Sequence, residues 1–171
     1  MYFSLFPKIK YDVVGDGVFY TMTNITRRVK FTQFAKENTT AFDFYDVQDG
    51  DTPEVVAFYY YQDIELHWLV LLANNITDVY SQWPMSVPRF EQYVNDKYDD
   101  VNAIHHYEIY QTSGNTEQVI QLPNNIGYPN ATPVTNYVYE DEIQKKLSRI
   151  RLVRNEFVDK IESQLGDLLK G

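Results

Sequence analysis

Residues 64–73 constrain the fold most, because they are apolar on nearly every side of a helix. Within them only Glu65 and His67 have polar side chains. A helix that is apolar on every face is buried on every face. Leaving Trp68 and the leucines in water would create an aggregating patch. We therefore predict a core helix here, its outer face covered by other parts of the chain or by a partner.

Local signals on either side of this helix predict the elements around it. Residues 41–47 resemble a strand, and Asp49-Gly50-Asp51 is a turn. Thr52 followed by Pro53 is a good helix start, with a hydroxyl N-cap and proline in the first turn. That helix should end near Tyr60. The core helix should begin at Asp63 as its N-cap and end at Asn74-Asn75.

The rest of the chain has weaker patterns. We expect irregular structure in residues 1–44 apart from a strand-like piece at 29–34, an amphipathic helix at 87–98, and a strand pair at 105–110 and 118–122. Residues 123–136 are rich in proline and asparagine and predict a loop. Residues 140–170 predict a helix, a short extended link at 151–154 and a second helix capped by Asn155, although one unbroken helix is also compatible with the pattern.

Composition excludes several classes of protein. The absence of cysteine rules out disulfide scaffolds, thiol catalysis and Cys-ligated zinc. A net charge of −9 argues against nucleic acid and anionic membranes as partners. No apolar run approaches the roughly 20 residues that span a bilayer. Aromatic residues make up 16% of the chain, and such residues are enriched where proteins meet other proteins.

The sequence offers little for catalysis or cofactor binding. His105 and His106, with Asp99, Asp100 and Glu108 nearby, resemble a metal cluster only loosely, because adjacent histidines on a strand point to opposite faces and cannot bind one ion together without a kink. His67 is expected to be half-buried and hydrogen-bonded to a neighbour. No nucleophile elbow, phosphate loop or dinucleotide fingerprint is present. We expect a protein that is not an enzyme and has no cofactor.

A pattern at the centre of the chain resembles the LysM module. It begins Tyr45-Asp-Val47-Gln-Asp49-Gly50-Asp51-Thr52-Pro53 and continues through Val56-Ala57, Leu69, Leu72 and Asn74-Asn75-Ile76. This is similar to the "Y-x-V-x-x-G-D-T" opening and the later "N-x-I" of that β-α-α-β fold. The resemblance implies that Tyr45 and Val47 are buried by the first strand and that Thr52 caps the first helix.

A broader resemblance runs nearly from end to end. It rests on Met1-Tyr-Phe-Ser-Leu-Phe-Pro7, Asn24-Ile-Thr-Arg-Arg28, Asp51-Thr-Pro-Glu-x-Val-Ala57, His67-Trp68-Leu69-Val70-Leu71-Leu72-x-Asn74, Trp83-Pro84, Lys97-Tyr98 and the stretch from Asn155-Glu156 to Leu168-Leu169. Together these resemble the LysM-domain baseplate wedge subunits of contractile-tailed bacteriophages, the wedge protein fifty-three family.

The resemblance implies an α+β fold with four parts. These are an N-terminal extended arm that docks on partners (1–44), a central LysM-like β-α-α-β module (45–86), a helix with a β-hairpin insertion and loop (87–136), and a C-terminal helical segment (137–171). We expect the N-terminal forty residues and the C-terminal helix to dock on partners, because neither has enough core to fold alone. The candidate partner-binding residues are Phe3, Phe6, Arg27, Arg28, Trp68, Trp83, Phe157, Ile161 and Leu165.

The implied function is structural. The protein would join neighbouring wedge subunits around the tail hub, in multiple copies per baseplate, with the tail sheath or a sheath-initiating subunit as a further candidate partner. It would be assembled in the host cytoplasm and located in the virion baseplate. The alternative is a carbohydrate-binding LysM module that recognises peptidoglycan. A lytic enzyme anchored by LysM is a third and weaker interpretation, because few residues remain for a catalytic domain.

Overall fold

The computed structural model describes residues 2–26, 29–31, 39–110 and 118–170. The chain divides into two compact units. Unit 1 comprises Met1–Val47, Asp51–Gln82 and Arg149–Gly171, and unit 2 comprises Gln48–Gly50 and Trp83–Ser148. Both helices and antiparallel strands contribute, as an α+β fold requires.

The α-helices of the described residues are α1 (Pro53–Tyr61), α2 (His67–Ala73), α3 (Val79–Gln82), α4 (Val87–Lys97), α5 (Asn136–Ser148) and α6 (Val158–Lys170). The strands are β1 (Lys8–Tyr11), β2 (Tyr20–Thr23), β3 (Phe42–Asp46), β4 (Ile104–Tyr110), β5 (Val119–Leu122), β6 (Thr132–Thr135) and β7 (Arg149–Val153). Short 3₁₀ helices span Tyr2–Leu5, Thr39–Ala41, Ile64–Leu66 and Asn155–Phe157.

A two-stranded sheet lies at the centre of unit 1. Strand β3 pairs antiparallel with β7, Phe44 lying opposite Arg151. Helices α1 and α2 follow β3 in the chain, so the order of these four elements is β-α-α-β. Strand β7, the last of these four elements, lies outside the predicted 45–86 module and within the predicted 137–171 segment. The chain passes through unit 2 before β7 returns to pair with β3.

The caps of the two helices agree with the sequence signals. The Thr52 side chain accepts a hydrogen bond of 3.4 Å from the Val55 N–H, and α1 ends at Tyr61. Asp63 accepts one of 2.8 Å from the Glu65 N–H and caps the 3₁₀ turn that leads into α2. Asn75 has a φ of +56° after the end of α2, the left-handed exit expected there.

The core of unit 1 covers much of the apolar segment 64–73, but the expected burial on every face holds only in part, because Ile64 is 55% exposed and Leu71 and Leu72 are half-buried. Leu69 and Val70 are fully buried, and Trp68 is 6% exposed. The buried cluster contains Phe6, Phe42, Leu66, Trp68, Leu69, Ala73, Val153, Val158, Leu165 and Leu169. Its members come from the N-terminal segment, the sheet, the 3₁₀ helix Ile64–Leu66, α2 and α6. Extensions of the chain itself therefore cover much of the helix.

The N-terminal segment contains a hairpin that its sequence pattern does not predict. Strands β1 and β2 pair antiparallel, with Ile9 opposite Met22 and Tyr11 opposite Tyr20. The expectation of irregular structure there was wrong, because an eight-residue loop (12–19) separates two short strands and hides the alternation. Of the predicted strand at 29–34, residues 29–31 are not in a strand and the remainder lies outside the described residues.

Unit 2 combines helices α4 and α5 with a three-stranded sheet of order β5-β4-β6. The predicted strand pair is present as β4 and β5. The loop prediction for 123–136 was wrong in part, because Thr132–Thr135 forms β6 against β4 despite Pro133. Proline is tolerated there because β6 is an edge strand, and the missing N–H can face away from the ladder.

The C-terminal segment is a helix, a strand and a helix, which settles the alternative of one unbroken helix. Helix α5 begins at Asn136 rather than at 140, and the extended link is the paired strand β7. Arg154, not Asn155, is the cap residue of the following 3₁₀ turn.

Candidate subunit interface

Three of the predicted partner-binding residues lie inside unit 1. Phe6, Trp68 and Leu165 are all buried members of its core cluster. Helix α6 packs against the first 3₁₀ turn, Tyr2–Leu5, so the N-terminal and C-terminal segments cover each other. A side chain that is buried within its own chain offers little surface to a partner. We therefore assign these three residues to folding.

The other predicted residues lie in different environments. Trp83 is buried in unit 2. Phe157 and Ile161 are half-buried and pack against the core of unit 1. Phe3 is exposed, with its ring centroid 5.7 Å from that of Phe6. Arg27 and Arg28 lie outside the described residues. The structure does not gather the described members of this set into one surface.

Two grooves border α2 and α6 in unit 1. The larger, of about 410 Å³, is lined by Val29, Trp68, Leu71, Leu72, Asn75, Ile76 and Thr77. The smaller, of about 160 Å³, is lined by Val29, Lys30, Phe31, Leu72, Ile161, Gln164, Leu165 and Leu168. Leu71 and Leu72 are the half-buried part of the apolar helix, so its outer face is covered only in part.

The β1–β2 hairpin carries an exposed apolar surface in the N-terminal segment. Every residue of both strands is exposed. Ile9, Tyr11, Tyr20 and Met22 share one face, because directly opposed residues and alternate residues of a strand point the same way. Lys8, Lys10, Thr21 and Thr23 share the other face. The sequence does carry a signal for this surface, because apolar residues alternate with lysine or threonine along each strand.

The loop at the tip of the hairpin is organised by one carboxylate. Asp12 accepts hydrogen bonds from the backbone N–H groups of Val14 (3.2 Å), Gly15 (2.6 Å) and Gly17 (2.9 Å). The bond from Gly17, followed by that from Gly15, lowers the pKa of Asp12. Both glycines have a φ above +80°, a conformation that other residues adopt only with strain. The tip is thus a defined loop.

Polar side chains fasten the central sheet to α1. The Tyr60 hydroxyl donates to Asp43 Oδ2 at 2.6 Å, and Arg154 Nε donates to Asp43 Oδ1 at 2.9 Å. These two hydrogen bonds lower the pKa of Asp43. Burial and the bond to Asp43 raise the pKa of Tyr60 to about 12. Asp43 therefore stays ionised and Tyr60 stays protonated at neutral pH, and the arrangement holds β3 to α1 and to Arg154.

A histidine cluster lies on β4 of unit 2. His106 Nε2 lies 3.1 Å from Glu108 Oε1, and the Nδ1 atoms of His105 and His106 are 2.9 Å apart. Adjacent histidines on a strand approach each other only at a kink, and β4 is irregular between Ile104 and His106, where the centroids of the two histidine rings lie 5.1 Å apart. Even so, no described group of three His, Cys, Asp or Glu side chains could hold a metal ion.

His67 behaves as the sequence predicts. It is half-buried, and its Nδ1 lies 3.0 Å from the carbonyl oxygen of Ile64.

A second polar centre joins α4 to α5 in unit 2. Glu140 is buried, and its Oε1 accepts hydrogen bonds from Lys97 Nζ (2.8 Å) and the Tyr98 hydroxyl (2.7 Å). Burial alone would raise the pKa of Glu140, but these two hydrogen bonds outweigh it and the pKa is lowered. Because both hydrogen bonds lie within unit 2, they hold α4 and α5 together.

Among the described residues, no helix combines the length and the apolar character needed to cross a membrane. The chain matches no curated protein. A family model described as base plate wedge protein 53, a phage family, matches residues 1–154, which is most of the chain. Given that extent, the chain belongs to the phage base plate wedge protein 53 family.

Proposed function

We propose that this protein is a non-enzymatic, structural subunit of a contractile-tail baseplate wedge, which joins neighbouring wedge proteins around the tail hub. The observation that carries the proposal is the family match over residues 1–154. A protein of that family works in the virion tail baseplate, in association with other baseplate proteins. Assembly would take place in the host cytoplasm, with several copies in each baseplate.

The described structure supports a binding role. The polar centres at Asp43 and Glu140 are occupied by partners within their own units. The exposed apolar side chains of the N-terminal hairpin, in contrast, have a composition that suits contact with another protein. Other wedge proteins are the partners we propose, and the tail sheath or a sheath-initiating subunit is a further one.

We also propose that β3, α1, α2 and β7 form a LysM-like module. Support comes from the β-α-α-β order, the antiparallel pairing of β3 with β7 and the Thr52 cap. Tyr45 is half-buried and donates a hydrogen bond of 2.8 Å to Asp51 in the following turn. In this structure the fourth element comes from the far end of the chain, and all of unit 2 except Gln48–Gly50 is inserted before it.

Co-expression tests the proposal against the carbohydrate-binding alternative. The full chain is produced together with the other wedge proteins of the phage that encodes it, and complexes are separated by size-exclusion chromatography. We expect a stoichiometric complex and no retention of the pure chain on a peptidoglycan column. No complex, together with retention that a substitution in the 49–53 turn abolishes, would contradict a structural role and favour sugar recognition.

A further inference from the structure

Three titratable side chains of β4 in unit 2 form a continuous hydrogen-bonded row. Glu108 Oε1 lies 3.1 Å from His106 Nε2, and His106 Nδ1 lies 2.9 Å from His105 Nδ1. Glu108 and His106 are buried, at 6% and 7% exposed, whereas His105 is exposed. The row therefore connects solvent at His105 with a buried carboxylate at Glu108.

Hydrogen-bond chemistry limits the protons that this row holds. A carboxylate only accepts hydrogen bonds, so the bond to Glu108 requires a proton on His106 Nε2. The bond between the two Nδ1 atoms requires one proton, carried by one nitrogen or the other. Protons on both Nδ1 atoms would set two N–H groups against each other, and a proton on neither would set two lone pairs against each other. Two arrangements satisfy every bond.

The two arrangements differ by one proton and by the direction of the bond between the histidines. In the first, both rings are neutral, His105 Nδ1 donates to His106 Nδ1, and His105 Nε2 has no proton. In the second, His105 Nε2 has gained a proton and His106 Nδ1 donates to His105 Nδ1. His106 is then an imidazolium beside the Glu108 carboxylate. A proton that enters at exposed His105 thus appears as charge on buried His106.

The elements packed on this part of β4 leave Glu108 as the counter-ion. Strands β5 and β6, which flank β4, contain no titratable side chain. Helix α5 faces the histidines with Tyr139, whose ring stacks on His105 at 4.0 Å between centroids and lies edge-on to His106. Two carboxylates of α5 are each paired with a lysine: Glu140 with Lys97 and Asp141 with Lys145.

The other carboxylates near the histidines in the chain or on the helix are not paired with them. Asp99 and Asp100 precede β4 and are exposed. Glu142 follows Tyr139 by three positions and so lies on the same side of α5. In the described part of the chain, none of the three forms an ion pair with either histidine.

We propose that His105, His106 and Glu108 form a pH switch that takes up a single proton through His105 and reverses the hydrogen bond between the two histidines. In the acid form Glu108 neutralises the charge on His106, and His105 presents an N–H at Nε2 in place of a lone pair. Histidine is the side chain whose charge changes between about pH 5 and pH 8, so we expect the switch to act in that range.

The test determines which ring nitrogens carry protons. The full chain is prepared with ¹⁵N-labelled histidine, and ¹H–¹⁵N correlation spectra of the rings are recorded from about pH 8 to about pH 5. We expect His105 to change from the Nδ1–H to the Nε2–H tautomer in the same step in which His106 becomes an imidazolium. His67 of unit 1, whose Nδ1 lies 3.0 Å from the Ile64 carbonyl oxygen, is the internal reference and should titrate separately.

A variant tests the counter-ion. Glu108→Gln removes the charge and keeps an oxygen that accepts from His106 Nε2, so we expect the proton affinity of His106 to fall by more than about tenfold. The matched control is Glu91→Gln on α4, because Glu91 is exposed, and it should change that affinity less than about twofold. Equal melting temperatures show that both variants are folded. The wild-type spectra decide the proposal even if Glu108→Gln does not fold.

The other outcomes contradict the proposal. If the His105 tautomer is the same across the range, the bond does not reverse. If both rings become imidazolium while Tyr139 keeps its contact with His105, the histidines do not share a proton. A neutral His106 with its only proton on Nδ1 would place the added proton on Glu108 instead. Equal proton affinity of His106 in Glu108→Gln and wild type would exclude Glu108 as the counter-ion.

Discussion

The carboxamide of Asn74 forms two hydrogen bonds to the backbone of Arg151. Asn74 Nδ2 donates to the Arg151 carbonyl at 2.8 Å, and the Arg151 N–H donates to Asn74 Oδ1 at 2.8 Å. Nδ2 also donates to the Val70 carbonyl at 2.8 Å. The Asn74 side chain, at the end of α2, therefore gives the backbone N–H and C=O of Arg151 in β7 the partners that a third strand would supply. The end of α2 is tied to β7 at this point.

Removing that carboxamide should destabilise unit 1. In Asn74→Ala, partly buried N–H and C=O groups of β7 lose their partners, and we expect the free energy of unfolding to fall by about 1–3 kcal/mol. Urea denaturation followed by circular dichroism measures the loss. The matched control is Asn95→Ala, since the exposed Asn95 side chain bonds, among the described residues, only the Glu91 carbonyl of its own helix. Similar losses in both variants would show that the link from Asn74 to Arg151 contributes little.

The sequence predicts local elements of this fold and misses pairings between distant ones. Thr52 and Asp63 identify helix starts because an N-cap is a contact within four residues. The alternation at 149–153 indicates extended chain, but nothing local says that it pairs with β3. The apolar side chains of Phe6 and Trp68 predict burial, but the sequence does not show whether this chain or a partner buries them. That distinction depends on the tertiary fold.

Phe6 and Phe3 should respond differently to a charge. Phe6 is 7% exposed in the core, so Phe6→Asp places a carboxylate among apolar side chains and should lower the free energy of unfolding by more than about 3 kcal/mol. Phe3 is exposed, and Phe3→Asp should cost about 1 kcal/mol or less. Thermal unfolding of the two variants checks this. Comparable stability would mean that Phe6 is not a core residue and that the segment is free to bind elsewhere.

Glu140 should make the stability of unit 2 depend on pH in the acidic range. Because its pKa in the folded protein is lowered from the usual 4.5, its contribution is complete above that value and is lost as the pH falls through the folded pKa. Glu140→Gln should cost about 1–3 kcal/mol at pH 7, and the difference from wild type should shrink as the pH falls below about 4.5. Unfolding by urea across this pH range provides the measurement. A difference that stays constant with pH would exclude the charged form as the source.

Tyr61 and Tyr60 are neighbours with different hydroxyl environments. The Tyr61 hydroxyl is buried near the backbone of Val153 without a hydrogen bond of ordinary geometry, and burial raises its pKa. Tyr61→Phe should leave the free energy of unfolding unchanged or raise it by up to about 1 kcal/mol. Tyr60→Phe, which loses the bond to Asp43, should lower it. A larger loss in Tyr61→Phe than in Tyr60→Phe would show that the buried hydroxyl has a partner.

The central claim is that the protein is a structural part of a baseplate wedge. The most direct measurement is an electron cryomicroscopy reconstruction of the tail of the phage that encodes it. We predict density for this chain in the baseplate, in contact with at least two other wedge proteins. A complete baseplate from which the chain is absent would contradict the account.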